Sequence, residues 1–180
     1  MEDISLHILD IAENSIGAQA KKIEIRIQES RKKDVLRLEI EDDGKGMDRE
    51  TLKKALDPFF TTKKTRRFGF GLSLLSESAR AAEGNFQIES NPGKGTKIEA
   101  TFKASHIDTL PMGDIPQTII TLIMGHPEID ICYTHKTDED KYIIDTKDIK
   151  AQLNGLPINS PEILRFIRNN IMEGIATIRR

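Results

Sequence analysis

The sequence predicts an α+β fold: a two-layer α/β sandwich with helices covering one face of a mixed, mostly antiparallel sheet, followed by a small C-terminal α/β extension. Three observations carry this. Two pairs of consecutive segments alternate apolar and polar residues, the period of a half-buried strand. A 3.6-residue apolar stripe precedes the first pair, and further helical segments separate it from the second. Beyond the Pro- and Gly-containing stretch Ser105–Pro116, helices and strands resume.

Taken in order, Ile4, Ile8, Ile11, Ala12 and Ile16 form one helical stripe, so residues 3–18 read as a helix. Ile23, Ile25 and Ile27 alternate with Glu24 and Arg26, and Leu36, Leu38 and Ile40 repeat the pattern after the charged turn 29–34, which makes a hairpin. Asp48 is a plausible N-cap for a short helix through about Leu56, and a longer helix spans 71–83, stopped by Gly84. Phe86 and Ile88, then Ile98, Ala100 and Phe102, flank the turn Asn91-Pro92-Gly93-Lys94-Gly95 as a second hairpin. The second part reads as helix 114–124, strands 129–135 and 141–145, a short helix 147–153 and a final helix 161–177. Asn159 or Ser160 caps that last helix, and Pro161 suits its first turn. Its apolar stripe (Ile163, Leu164, Ile167, Ile171, Ile175) reads as core, with a homodimer or partner surface as the alternative. The division expected is residues 1–104 and 105–180.

Composition narrows the function. The 180 residues carry 27 basic and 29 acidic side chains, a formal net charge of −2, and aromatics are 5% with no Trp. A general polyanion binder or an aromatic platform for single-stranded nucleic acid is therefore disfavoured, and no nucleic-acid partner is expected. A single Cys132 excludes an internal disulfide framework and a Cys-cluster metal site. Apolar runs are far shorter than the ~20 residues of a bilayer span, and no signal-like leader opens the chain. The expected setting is cytoplasmic, without a membrane partner. His106, His126 and His135 are scattered and read as surface histidines.

The chemistry-bearing residues lie in the first 104. Asp10 and Asn14 stand four apart, hence on one helix face, with His7 near that face a turn earlier. An amide oxygen and a carboxylate so placed can hold a metal ion and a water together; a solvated polar face is the plainer reading of the pair alone. Asp42-Asp43-Gly44-Lys45-Gly46-Met47 follows an apolar strand, so a carboxylate and a closely approaching backbone can share a pocket. Asp57-Pro58-Phe59-Phe60-Thr61-Thr62-Lys63 leads through Lys64, Arg66 and Arg67 into Gly69-Phe70-Gly71, where amides opening a helix make an anion site. Gly69-Phe70-Gly71-Leu72-Ser73-Leu74 lacks the third glycine of a dinucleotide fingerprint, and Gly93-Lys94-Gly95-Thr96 is not a Walker sequence. Each glycine pair by itself is a turn.

The ordered set, however, resembles the GHKL ATPases, the superfamily of gyrase, heat-shock chaperone ATPases, histidine kinases and mismatch-repair ATPases. Ala12-Glu13-Asn14-Ser15 resembles their N box, Asp42-Asp43-Gly44-Lys45-Gly46 the D-x-G-x-G box, and Pro58-Phe59-Phe60-Thr61-Thr62-Lys63 the P-F-F-T-T-K box of histidine kinases. Gly69-Phe70-Gly71-Leu72 resembles the second glycine box and Gly93-Lys94-Gly95-Thr96 the closing G-x-G-T. The resemblance implies the Bergerat fold, ATP and Mg²⁺ as cofactors, and a role for each matching residue. Asp42 would accept from the adenine 6-amino group and Thr96 would support the same edge. Gly44 and Gly46 would let the backbone approach the base, with Met47 against its face. Asn14 would bind Mg²⁺. Gly69, Gly71 and Leu72 would wrap the phosphates as a lid, and Lys63 would reach a phosphate.

Two features depart from the pattern. Hydrolytic members have Glu four residues before the metal-binding Asn, and many histidine kinases have Asn; here the residue is Asp10, a carboxylate one methylene shorter than Glu. Only five residues separate Lys63 from Gly69, a short lid. The first helix begins near residue 3, which leaves no room before it for a phosphoacceptor helix, and His7 lies on that helix itself. The expectation is thus a stand-alone module resembling anti-sigma-factor kinases and hydrogenase-associated ATP-binding proteins. It would phosphorylate a partner protein; an ATP-driven switch with slow hydrolysis through Asp10, or a non-catalytic nucleotide-binding scaffold, are the alternatives.

Overall fold

The computed structural model describes residues 3–56 and 71–180. Its elements are α1 (Ile4–Gly17), β1 (Lys22–Ser30), β2 (Val35–Asp42), α2 (Arg49–Ala55), α3 (Gly71–Ala81), β3 (Asn85–Asn91), β4 (Gly95–Lys103), α4 (Ile115–Gly125), β5 (Asp130–Lys136), β6 (Lys141–Asp145), α5 (Thr146–Gln152) and α6 (Pro161–Ile178). Local chemistry sets the boundaries. Asp3 Oδ1 accepts the Leu6 N–H at 2.9 Å and opens α1. Asp48 Oδ1 accepts the Thr51 N–H at 2.8 Å and opens α2, each satisfying an amide that has no intrahelical partner. Ser160 stands at the N-cap position of α6 in extended backbone conformation but makes no side-chain capping bond, and Pro161 begins the helix.

Six strands form one sheet in the order β3-β4-β2-β1-β5-β6. The β1–β2, β2–β4, β3–β4 and β5–β6 pairs are antiparallel, and β1–β5 is parallel, with Ile23 opposite Ile131 and Ile25 opposite Tyr133. The mixed, mostly antiparallel sheet and its helical cover are those expected. The strands after residue 105 extend the sheet of the first part: β5 enters beside β1, which no hairpin could supply, because a parallel neighbour needs a crossover.

Helices α1, α3, α4 and α6 join one strand face in a continuous core. Ile23, Ile25, Ile27, Leu38, Ile40, Ala100 and Phe102 are at most 1% exposed, and burying each of the larger side chains stabilises the fold by about 1.5–3 kcal/mol. In α6, Ile167 and Ile171 are fully buried, with Ile163, Leu164 and Ile175 packed against them, so that stripe is core. The opposite sheet face carries a charged ladder: Arg26 pairs with Glu24, Glu39 and Glu41, Lys97 with Glu39, and Arg37 with Glu99. Among the described residues no helix is long and apolar enough to cross a membrane.

Two details differ from the sequence expectation or lie beyond it. His135 is not a surface histidine. It is fully buried, its Nδ1 2.6 Å from the Tyr133 hydroxyl and its Nε2 2.5 Å from Glu29 Oε1, because position 135 falls on the core side of β5. The segment before α4 is strapped onto the start of α1: the Ile4 N–H donates to the Pro111 carbonyl at 2.9 Å and the Ser5 N–H to that of Met112 at 3.1 Å. These are two of the amides that a helix start leaves unpaired.

Candidate functional site

The second half of α1, the end of β2 and the start of β4 converge. Asp42 ends β2 opposite Thr96 of β4. Its Oδ1 accepts the Gly44 N–H at 2.9 Å and the Thr96 N–H at 3.3 Å, while Oδ2 accepts the Ser15 hydroxyl at 2.6 Å. Ser15 Oγ is also 3.2 Å from the Ile11 carbonyl. A hydroxyl carries one hydrogen, and the shorter contact to a carboxylate is the stronger claim on it. Asp42 is therefore held from α1, from β4 and from the loop that follows it, with acceptor capacity remaining on Oδ2.

The loop after Asp42 is pinned as firmly. Asp43 Oδ1 accepts the amides of Lys21 and Lys22 at 2.7 and 2.9 Å, and the Lys45 N–H donates to the Ala18 carbonyl at 2.9 Å. Gly46 comes so close to the turn between β3 and β4 that a Cβ on it would lie 1.9 Å from the Asn91 carbonyl oxygen. The Met47 N–H donates to Ser90 Oγ at 2.8 Å, and that hydroxyl lies 2.8 Å from Thr96 Oγ1 and 3.0 Å from the Gly95 carbonyl. Asp42, Gly44, Gly46, Met47 and Thr96 thus share one polar cluster.

Asp10 and Asn14 lie half-buried on α1. Gly71, the first residue of α3, packs directly on the Asp10 carboxylate, so the amino end of α3 faces the Asp10 turn of α1. Leu72 follows, half-buried against the core. Lys63 and Gly69 fall outside the described residues, as do the rest of 57–68 and Phe70. Sequence reasoning missed Ser15 and Ser90 as parts of this cluster. Ser15 directly follows Asn14 in the motif, but only the fold shows that its hydroxyl reaches β2.

His7, one turn before Asp10, is fully buried, and neither ring nitrogen has a hydrogen-bond partner among the described residues. Burial lowers its pKa to about 4 against the opposing pull of Asp10 and Asp3. The ring is neutral at pH 7.

The six-stranded mixed sheet with helices on one face places Asp10 and Asn14 on α1 and Asp42 at the end of β2, beside the Gly44–Gly46 loop and the turn at Gly93 and Gly95. The chain belongs to the histidine kinase-, DNA gyrase B- and HSP90-like ATPase family, whose model matches residues 2–106. It is 43% identical over 72 residues to a putative sensor protein of Shewanella frigidimarina, covering 39% of this chain and 11% of that protein. It is 40% identical over 89 residues to the sensor protein kinase FleS of Pseudomonas aeruginosa, covering 49% of this chain and 22% of that protein. The matches thus span less than a quarter of either relative. Among solved structures, the N-terminal domain of a DNA repair protein superposes with a TM-score of 0.55 at 14% identity, over 80% of this chain and 52% of the other, a likeness of fold.

Proposed function

We propose that the chain binds ATP with Mg²⁺ and transfers the γ-phosphoryl group to a partner protein, residues 1–104 forming the nucleotide site and 105–180 the extension that braces it. The observation that carries this reading is the convergence on α1: Ser15 ties the helix to Asp42, while Asp10, one turn before Asn14 on the same helix, sits against the start of α3. Asp42 Oδ2 accepts from the adenine 6-amino group. Guanine presents a carbonyl there, and a site built to pair one polar group rejects its mismatch by ~10⁴-fold. Gly44 and Gly46 admit the backbone close to the base, and Met47 lies against its face. Among the described residues no cluster of His, Cys, Asp or Glu forms a metal cage. The donors at hand, the Asn14 amide oxygen beside Asp10, suit Mg²⁺, which takes few protein ligands and shares phosphate oxygens. When bound, the ion neutralises phosphate charge. Backbone amides at Gly71 and Leu72, with Gly69 and Lys63, meet the remaining phosphate charge. Asp10 accepts the proton of the attacking hydroxyl as the new P–O bond forms and the bond to the β-phosphate bridging oxygen breaks, leaving ADP.

A second reading, an ATP-operated switch with water as acceptor, is supported by the bracing of α1. Thr118 Oγ1 of α4 donates to the Ser5 carbonyl at 3.4 Å, and His126 Nε2 lies 3.4 Å from Glu13 Oε1, beside Asn14. Movement of α1 would thereby reach the C-terminal part. Incubation with γ-labelled ATP and Mg²⁺, with and without candidate partners, separates the readings. Label on a partner, lost in Asp10→Asn, supports the kinase. Free phosphate alone supports the switch. Tight binding with neither leaves a scaffold, and Asp42→Ala binding ATP as well as the parent removes the pocket assignment altogether.

A further inference from the structure

We propose that Ser15 is a specificity-determining positioning residue: its hydroxyl, donated to Asp42 Oδ2, aims that oxygen's remaining lone pair, so that preference for a 6-aminopurine resides in the Ser15–Asp42 pair. The inference rests on the reading of Asp42 as the base acceptor.

A carboxylate at the end of a strand has a broad, two-fold terminal torsion. The amides of Gly44 and Thr96 both bind Oδ1, so by themselves they anchor one oxygen and leave the plane of the group free to swing about it. Ser15 supplies the missing constraint. It comes from a different element, 27 residues away in sequence, and meets the other oxygen at 2.6 Å. Its own side chain is only 4% exposed, so neighbouring atoms fix its rotamer. With the bond made, Oδ2 has one acceptor direction used and one remaining.

The position on α1 adds a second consequence. Asn14 and Ser15 are consecutive, about 100° apart around a helix, and the side chain of Ser15 is turned to the end of β2. Base selection and metal ligation are therefore set from one rigid turn of one helix. In the absence of Asp42 the Ser15 hydroxyl would fall back on the Ile11 carbonyl at 3.2 Å, an ordinary i−4 contact of a helical serine. The interhelix-to-strand bond is thus a choice the fold makes.

The test measures binding of ATP, GTP and purine ribonucleoside triphosphate, which lacks the 6-amino group, to the full chain by calorimetry. The parent is expected to prefer ATP to the des-amino analogue by about tenfold, the scale of one hydrogen bond to a charged group. Ser15→Ala should cut that ratio at least threefold while leaving affinity for the analogue unchanged, and should have no further effect on the ratio in an Asp42→Asn background. Ser15→Thr and Ser15→Val, nearly identical in shape and differing in the hydroxyl, make the same comparison if the alanine variant folds poorly: Thr should keep the ratio and Val lose it. Equal weakening of ATP and analogue, or an unchanged ratio in Val, overturns the inference while the Asp42 reading stands. A parent that does not distinguish ATP from the analogue overturns the Asp42 reading and this inference with it.

Discussion

Gly71 opens α3 directly against Asp10: a Cβ built on Gly71 would fall 1.8 Å from Asp10 Oδ2 and 2.8 Å from its Cγ. The obstructing atoms belong to a short side chain that can rotate away, so the clash is relieved by moving the carboxylate and not by opening the core. Gly71→Ala should therefore fold with little change in stability and bind ATP within about threefold of the parent. Turnover or transfer should fall at least about tenfold, since general-base contributions are typically 10²–10⁴-fold. Equilibrium binding and single-turnover kinetics on one preparation check both halves of the prediction.

His7 sets a pH window. Its folded pKa, about 4, lies below the ordinary 6.5, so between those values the unfolded chain binds a proton that the folded chain refuses. Stability is fully present above about pH 6.5 and is lost as pH falls towards 4, by up to about 3 kcal/mol. His7→Leu should flatten this limb, and at pH 7 it should be neutral or stabilising, because both unpaired ring nitrogens are removed from the core. Urea unfolding of parent and variant from pH 5 to 8 provides the difference curve.

Glu29 governs a second, more acidic window. Burial works against its charge, yet the hydrogen bonds from His135 and from Arg179 Nε, the latter at 2.7 Å, outweigh it and hold the carboxyl at about 2. This stability is present above the ordinary value near 4.5 and is lost as pH falls from there to 2. The contacts join the end of β1, the buried Tyr133–His135 pair of β5 and the residue just after α6. Glu29→Gln keeps an acceptor for His135, so it should cost about 1–2 kcal/mol at pH 7 and remove the acid limb. Amide exchange in α6 should rise in the same variant.

How much of this was legible depended on the range of the interaction. The alternation of Ile23, Ile25 and Ile27, the cap at Asp48 and the proline that begins the last helix are local signals, and the elements formed where those residues placed them. The meeting of β1 with β5 was not legible, since a parallel pairing leaves no turn signature between strands more than 90 residues apart. The position of His135 was legible in phase with Ile131 and Tyr133, but its pairing was not: Glu29, which lets an imidazole take a core position, lies 106 residues away. At the candidate site, motif order brought Asp10, Asn14, Asp42 and the glycines to notice. The hydroxyls of Ser15 and Ser90, which hold that cluster, carry no spacing rule.

The turn closing that cluster allows a contrast between two glycines. Gly93 and Gly95 both have positive φ, +74° and +88°, a region that costs a non-glycine residue roughly 1–2 kcal/mol. A Cβ on Gly93 would meet nothing within 4 Å, whereas one on Gly95 would lie 1.8 Å from the Asp42 carbonyl oxygen. That oxygen is backbone and cannot rotate aside, so relief requires β4 to part from β2 where Thr96 donates to Asp42. Gly93→Ala should accordingly cost about 1 kcal/mol and leave ATP binding intact. Gly95→Ala should cost about 2–4 kcal/mol and weaken ATP binding more than tenfold, because the same displacement removes a hydrogen bond that fixes the base acceptor. Thermal melts with and without ATP distinguish the two: at one ATP concentration the ligand-induced rise in Tm should be unchanged in Gly93→Ala and markedly smaller in Gly95→Ala.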